Sequence, residues 1–169
     1  EKRRLFLDGL RAGGIDFSQF QIPADVPEAD RQVLSYAQRR MWFLWQLDPH
    51  SGAYNLPGAV SLTGALELDA LEQAFAYVVQ RHHTLRTVFR HNADDTLEQV
   101  ECEAPITVEH MDFTLLPALE REQALATQAQ QESLQPFDLA NGPLLRIKLL
   151  KLAADEHVLL LTLHHIVSD

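Results

Sequence analysis

The sequence has few of the features on which several large protein classes depend. Cys102 is the only cysteine among 169 residues, so no disulfide can form within the chain, and a cytoplasmic location is the default expectation. No apolar run approaches the roughly 20 residues that a membrane-spanning helix needs. Basic residues are scarce, since 14 lysines and arginines stand against 24 aspartates and glutamates. The resulting net charge of −10 argues against nucleic acid and against an anionic membrane surface as partners, because both require a basic face.

Several motifs that would assign an enzyme class are also missing. The chain has no glycine-rich phosphate loop, no dinucleotide-binding fingerprint and no Cys-x-x-Cys pair. Ser35, His165 and Asp169 include the residue types of a hydrolase triad, but no Gly-x-Ser-x-Gly elbow surrounds the serine. Ser35 is better explained as a helix cap, so a serine hydrolase is disfavoured.

What the sequence does contain is a mixture of helical and strand patterns with an apolar fraction of 46%, which is enough for a core. Residues 1–32 predict a short helix and a proline-containing linker, and residues 33–169 predict the main folded part. Ser35 and Gln38 form a capping-box pattern that opens a strong helix. Two more helices are predicted from Asp69 to about residues 81–83 and over residues 117–135.

Strand patterns alternate with these helices. They cover residues 54–63, 86–91, 96–101, 106–111, 144–152 and 158–165. Short turns join the second strand to the third and the fifth to the sixth, which predicts two antiparallel hairpins. The pattern as a whole predicts an α/β fold with a mixed sheet.

The residues best suited to catalysis or binding lie at the end of the last predicted strand. His164 and His165 follow an apolar run, and Asp169 lies four residues after the second histidine. Because successive strand side chains face opposite sides, one imidazole is expected to enter the core and the other to face a cleft. Joint chelation of one metal by the pair is disfavoured for the same reason. Taken alone, the pair is most simply two hydrogen-bonded structural histidines, although a histidine near an aspartate is also an acid–base candidate.

Three segments in register resemble motifs of the condensation domains of non-ribosomal peptide synthetases. Residues 35–42, S-Y-A-Q-R-R-M-W, are similar to the family's first motif, S-x-A-Q-x-R-[LM]-[WY]. Residues 81–89 are similar to the second, R-H-E-x-L-R-T-x-F, with His83 in place of the usual glutamate. Residues 164–169 are similar to the third, H-H-x-x-x-D-G, without its glycine, and residues 136–146 resemble the segment that precedes it.

The resemblance implies a chloramphenicol-acetyltransferase-like fold, in which two similar lobes form a V around the histidine motif. Residues 33–169 would be the N-terminal lobe, a mixed sheet flanked by helices, and the C-terminal lobe would be absent. The family joins a donor aminoacyl or peptidyl thioester to the α-amine of an acceptor aminoacyl thioester, in the synthesis of peptide antibiotics or siderophores. No cofactor is implied on the domain itself. Phosphopantetheine arms of a donor and an acceptor carrier protein deliver the substrates, and an adenylation domain is adjacent.

The resemblance also implies roles for individual residues. His165 matches the catalytic histidine, while His164, Asp169 and Arg86 match residues that support the site. Arg86 is the candidate partner of Asp169, and an arginine in the second lobe is its rival. An α-amine with a reference pKa of about 7.7–8.0 is partly neutral at cell pH, so His165 can act as a base during bond formation or as an acceptor that orients the amine. Either role needs a neutral imidazole with one nitrogen free.

The subtype and the activity of this chain leave alternatives open. The Arg-Thr pair after Leu85 and the segment at residues 54–57 resemble domains that take an L-configured donor residue. Epimerisation, another carrier-dependent acyl transfer and a non-catalytic docking lobe are the alternatives. One lobe lacks half of the cleft, so the chain is expected to be inactive alone.

Overall fold

The computed structural model of the chain describes residues 33–102 and 104–168, and the helix and linker predicted for residues 1–32 lie outside the described residues. The helices are α1 (Tyr36–Leu47), α2 (Leu68–Arg81) and α3 (Ala118–Leu134). The strands are β1 (Asn55–Thr63), β2 (Thr87–His91), β3 (Leu97–Glu101), β4 (Val108–Asp112), β5 (Leu145–Lys151) and β6 (Glu156–His164), and short 3-10 turns span His83–Arg86 and His165–Val167. Within the two described ranges, no helix is long and apolar enough to span a membrane.

Four of the strands form one mixed sheet in the order β1-β6-β5-β4. Strand β6 pairs antiparallel with β1 and with β5, whereas β4 runs parallel to β5. Strands β2 and β3 form a separate antiparallel hairpin. The mixed sheet and both predicted hairpins are therefore confirmed, and β6, which leads to the histidine pair, is an interior strand of the sheet.

The capping box predicted at the start of α1 is present. The Ser35 hydroxyl accepts the backbone N–H of Gln38 at 3.2 Å, and the Gln38 side-chain oxygen accepts the backbone N–H of Ser35 at 2.9 Å. Trp42 is buried and its ring lies 4.8 Å from that of Trp45, centroid to centroid. The indole N–H of Trp45 donates to the carbonyl of Phe137 at 3.0 Å. Helix α1 is thus fastened at its start by polar contacts and along its length by aromatic packing.

The side chains of β5 point alternately to the two faces of the sheet, and both faces are covered by a helix. Leu145, Ile147 and Leu149 belong to an apolar cluster with the α2 residues Leu71, Phe75 and Val79. On the opposite face, Leu150 of β5 packs with residues of β6 and α3, namely Val158, Leu160, Leu125 and Ala129. The expected lobe architecture, a mixed sheet flanked by helices, follows from these two contacts.

A third apolar cluster lies beneath the end of β6. It joins α1, β2, the segment before β5 and the turn after β6, through Leu34, Trp42, Val88, Phe89, Phe137, Leu139, Leu144, Ile166 and Val167. Burial of these side chains is worth roughly 1.5–3 kcal/mol each, which makes their relative positions hard to change. The turn that follows β6 is consequently held by a rigid layer.

A charged group also lies between the sheet and α3. Glu132 of α3 is only 2% exposed, and its carboxylate lies 2.9 Å from Arg146 Nε and 3.1 Å from Lys148 Nζ, both on β5. Burial alone raises the pKa of the Glu132 carboxyl, but the two cations outweigh burial and hold that pKa below its ordinary value. Glu132 is therefore ionised at neutral pH. Together with Glu109 of β4, whose carboxylate lies 3.1 Å from Lys148 Nζ, it balances the charges of the two cations.

Replacing Glu132 by glutamine should destabilise the chain by about 2 kcal/mol or more at pH 7. The expected value lies below the ~3–5 kcal/mol of fully buried pairs, because Arg146 and Lys148 keep some solvent contact. The depressed pKa means that the contribution is present above the carboxyl's ordinary pKa and is lost as pH falls through its folded value. Urea unfolding at pH 7 and pH 4 measures this difference. The exposed Glu122→Gln in the same helix is the control, and equal stability of the two variants at pH 7 would contradict the prediction.

Candidate active site

His164 is the last residue of β6 and is 4% exposed. Its Nδ1 accepts the backbone N–H of Ile166 at 3.1 Å, and the rings of Tyr54 and Phe137 lie 6.2 and 6.0 Å away, centroid to centroid. Burial, aided by the adjacent His165, lowers the pKa of the His164 imidazole to about 4. The ring is neutral at cell pH, and since Nδ1 accepts a hydrogen bond, its proton is on Nε2.

His165 lies one residue beyond β6, in the 3-10 turn, and the prediction that the strand includes it is wrong. Strand alternation therefore does not orient its side chain. The orientation comes from the turn: the His165 backbone N–H donates to the Tyr54 carbonyl at 2.9 Å, and Nδ1 lies 2.9 Å from the Ser168 carbonyl oxygen. Because a carbonyl can only accept, Nδ1 carries the proton, and Nε2 of the neutral ring is left as an acceptor.

The backbone thus holds the two neighbouring imidazoles in opposite tautomers. His164 uses Nδ1 as an acceptor, whereas His165 uses Nδ1 as a donor. One ring is buried and the other is half-buried. Among the described residues, no three His, Cys, Asp or Glu side chains are grouped so that they could hold a metal ion.

His165 lines a cavity of about 370 Å³. Its other walls come from α1, from the segment around the start of β2, from β3 and from the turn itself, and they include Ser35, Gln38, Met41, Thr84, Thr87, Gln99 and Ser168. Sequence reasoning assigned no site role to Met41, Thr84, Thr87 or Gln99. The first three lie within the motif-like segments 35–42 and 81–89, which was a usable signal. Gln99 lies in no such segment, so only the fold reveals its position.

Arg86 lies in the 3-10 turn before β2, although the strand was predicted to begin with it. Its guanidinium forms an ion pair with Glu101 of β3. Its Nε donates to the Val79 carbonyl at 3.1 Å and one terminal nitrogen donates to the Gln80 carbonyl at 3.4 Å, which satisfies carbonyls at the end of α2. Asp169, its expected partner, lies outside the described residues, so the Arg86–Asp169 pair stays a prediction.

Comparison with known proteins agrees with the motif resemblance. The family model of the condensation domain matches residues 28–169. A chondramide synthase of Chondromyces crocatus is 40% identical over 147 residues, which are 87% of this chain and 4% of that protein. Tyrocidine synthase 2 of Brevibacillus parabrevis is 38% identical over 157 residues, which are 93% of this chain and 4% of that protein.

Solved structures show the same likeness. The starter condensation domain of a rhizomide synthetase superposes with a TM-score of 0.71 at 30% identity, covering 80% of this chain and 32% of that one. The first condensation domain of the CDA synthetase shares the fold, with a TM-score of 0.68 at 22% identity. The chain thus spans about a third of the solved domains and a few per cent of the curated relatives. From the family match across residues 28–169 and these likenesses, the chain belongs to the condensation domains of non-ribosomal peptide synthetases.

Proposed function

We propose that the chain is the N-terminal lobe of a condensation domain that forms an amide bond between a donor acyl thioester and the α-amine of an acceptor aminoacyl thioester. The observation that carries this proposal is the state of His165. The Ser168 carbonyl keeps its proton on Nδ1, so Nε2 is an acceptor beside a cavity of about 370 Å³. A nucleophilic amine that must lose a proton needs an acceptor of this kind at the site.

The proposed reaction uses His165 while the C–N bond forms. The amine nitrogen attacks the thioester carbonyl carbon, and the C–S bond then breaks. The proton that leaves the nitrogen passes to Nε2 of His165 and from there to the departing donor thiolate, which returns the imidazole to its neutral form. A neutral fraction of the amine exists at cell pH, so the imidazole need not deprotonate an ammonium ion in a separate step. Holding the amine by a hydrogen bond before attack lowers the entropic part of the barrier.

His164, Arg86 and Asp169 support this arrangement in the proposal without touching substrate. His164 stays neutral beside His165, so it does not oppose the positive charge that develops there, and its Nδ1 accepts the backbone N–H of Ile166 within the turn. Arg86 secures the end of α2 next to the segment that lines the cavity with Thr84 and Thr87. Asp169 would secure the turn from its other end.

The partners in the proposal follow from the relatives and from the length of the chain. Donor and acceptor carrier proteins would deliver both substrates on phosphopantetheine arms, with an adenylation domain adjacent, and the donor residue would be L-configured. This lobe would need no cofactor of its own. Because the chain covers about a third of the solved condensation domains, a second lobe would supply the opposing wall of the cleft, and the 169-residue chain alone would be inactive.

Replacing His165 by alanine in the full-length synthetase should slow peptide-bond formation by about 10²–10⁴-fold, the range typical of a lost acid–base group. Single-turnover condensation between two loaded carrier proteins measures the step, and loading is measured separately. The exposed His50→Ala is the matched control. Unchanged condensation by the His165 variant would refute the proposed function.

Replacing His164 by asparagine should flatten the acid dependence of stability. The unfolded histidine takes up a proton near pH 6.5, whereas the folded one does so only near its pKa of about 4. The unfolded state of the wild type therefore binds more protons in this window, and stability falls as pH drops from 6.5 towards 4. The variant lacks this titration and should lose less stability between pH 7 and pH 4.5 in urea unfolding. Parallel curves for the two proteins would contradict the assignment.

Replacing Arg86 by alanine should act through stability. Loss of its carbonyl contacts and of the Glu101 ion pair should cost about 1–3 kcal/mol in unfolding, because hydrogen bonds from a charged group are removed. Condensation per folded molecule should persist in the full-length synthetase. Arg81→Ala, an exposed cation at the end of α2, is the control. Complete loss of activity with unaltered melting would instead place Arg86 in the reaction.

A further inference from the structure

We infer that Gln38 is a positioning residue that sets the place of His165 through the turn after β6, an inference that rests on the proposed function. Gln38 stands in the first turn of α1, far from the histidines in sequence, and it lines the same cavity as His165. Its side chain never meets the imidazole in a hydrogen bond, so its effect passes through the backbone of the turn.

The orientation of the Gln38 amide is determined by its neighbours. Its oxygen accepts the backbone N–H of Ser35 at 2.9 Å. An N–H can bond only to the oxygen, so the amide nitrogen must face the other way. There it lies 3.4 Å from the Ile166 carbonyl and 3.4 Å from the side-chain oxygen of Gln99, and it donates to both. One side chain thereby links the start of α1 to the turn and to β3.

The contact to Ile166 ties the His165 turn to another element of the fold. Ile166 is 3% exposed, and its N–H is already taken by the neighbouring His164 ring. The bond from His165 to Ser168 also lies within the turn region. Gln38 reaches the turn from α1, and Gln99 in turn donates to the Val33 carbonyl at 3.1 Å. Since both contacts of the amide nitrogen are long, they contribute little stability, and their main effect is on position.

The choice of glutamine over glutamate at this position supports the inference. A capping box accepts either residue, and a carboxylate in the first helical turn is favoured by the helix dipole. The first turn of α1 contains no acidic residue at all. Glutamate at residue 38 would stabilise the helix more. Its side chain has no N–H to donate, however, and its carboxylate would face the Ile166 carbonyl oxygen and the Gln99 side-chain oxygen. The hydrogen bond that the turn accepts from this side chain therefore explains why residue 38 is an amide.

The decisive variant is therefore Gln38→Glu, which keeps the cap and removes the donor. In the full-length synthetase, single-turnover condensation should fall by about tenfold to a hundredfold with KM within about twofold of wild type, because a displacement on the order of 1 Å costs this much. The melting temperature of the 169-residue chain should stay level or rise, since the helix gains a favourable charge. Gln130→Glu, the same change at an exposed position of α3, should leave all three values unchanged.

A second measurement needs no substrate. Nitrogen-15 NMR of the His165 ring in the isolated chain should report the Nδ1–H tautomer in the wild type. In Gln38→Glu the populations should shift towards Nε2–H, because the hydrogen bond from His165 Nδ1 to the Ser168 carbonyl weakens when the turn moves. A wild-type rate and tautomer in that variant would overturn the inference. A melting temperature that falls in step with the rate would also overturn it, by assigning Gln38 to helix stability. If the wild-type synthetase itself forms no peptide bond, the proposed function fails, while the NMR comparison still decides the part played by Gln38.

Discussion

The Ser168 carbonyl accepts a hydrogen bond from Nδ1 of His165 at 2.9 Å, and the turn after β6 closes around this contact. The bond selects the tautomer in which Nε2 is the free acceptor. This hydrogen bond requires the strand to end at His164. In a regular strand the chain is extended, so the carbonyl of Ser168 could not approach the ring of His165. The turn itself depends on the apolar cluster that buries Ile166 and Val167. The state of one imidazole is thus connected to the packing of the lobe.

The two adjacent histidines show how strongly position acts on one chemical group. His164 closes an interior strand, loses contact with water and has its pKa lowered to about 4. His165 is one residue further, half-buried, and lines the cavity. In the proposed reaction the second ring accepts a proton, and a neutral first ring would then avoid placing two cations side by side. The two rings therefore differ in burial and in tautomer: Nδ1 of His164 accepts a hydrogen bond from the backbone, whereas Nδ1 of His165 donates one to it.

The remainder of the lobe keeps the end of β6 in place. The sheet is covered on one face by α2 and on the other by α3, and β6 is paired on both edges. The carboxylates of Glu132 and Glu109 together compensate the two cations that β5 directs towards α3. Because β6 is held on both edges and both faces, its last residue, His164, has a defined position close to α1.

Local patterns in the sequence were enough to predict the capping box of α1, the two hairpins and the motif segments around the site, since these depend on neighbours close in the chain. The mixed sheet was predicted only as a class, from the alternation of helices with hairpin-linked strands, and its strand order came from the structure. The local patterns did not reveal that β2 starts after Arg86, because the pairing of β2 with β3 begins only at Thr87. They also did not reveal that His165 leaves β6, because the pairing of β6 with the distant strand β1 ends at His164. The partners of Arg86 at the end of α2, the place of Gln99 in the cavity and the tautomer of each imidazole likewise required the tertiary structure. The sequence by itself determined which residues are available for chemistry. Only the tertiary structure decided which hydrogen bonds those residues make. Some of these bonds, such as that from Gln38 to Ile166, join distant segments, and the short-range bonds of His164 and His165 depend on a turn that is held by packing against the apolar cluster.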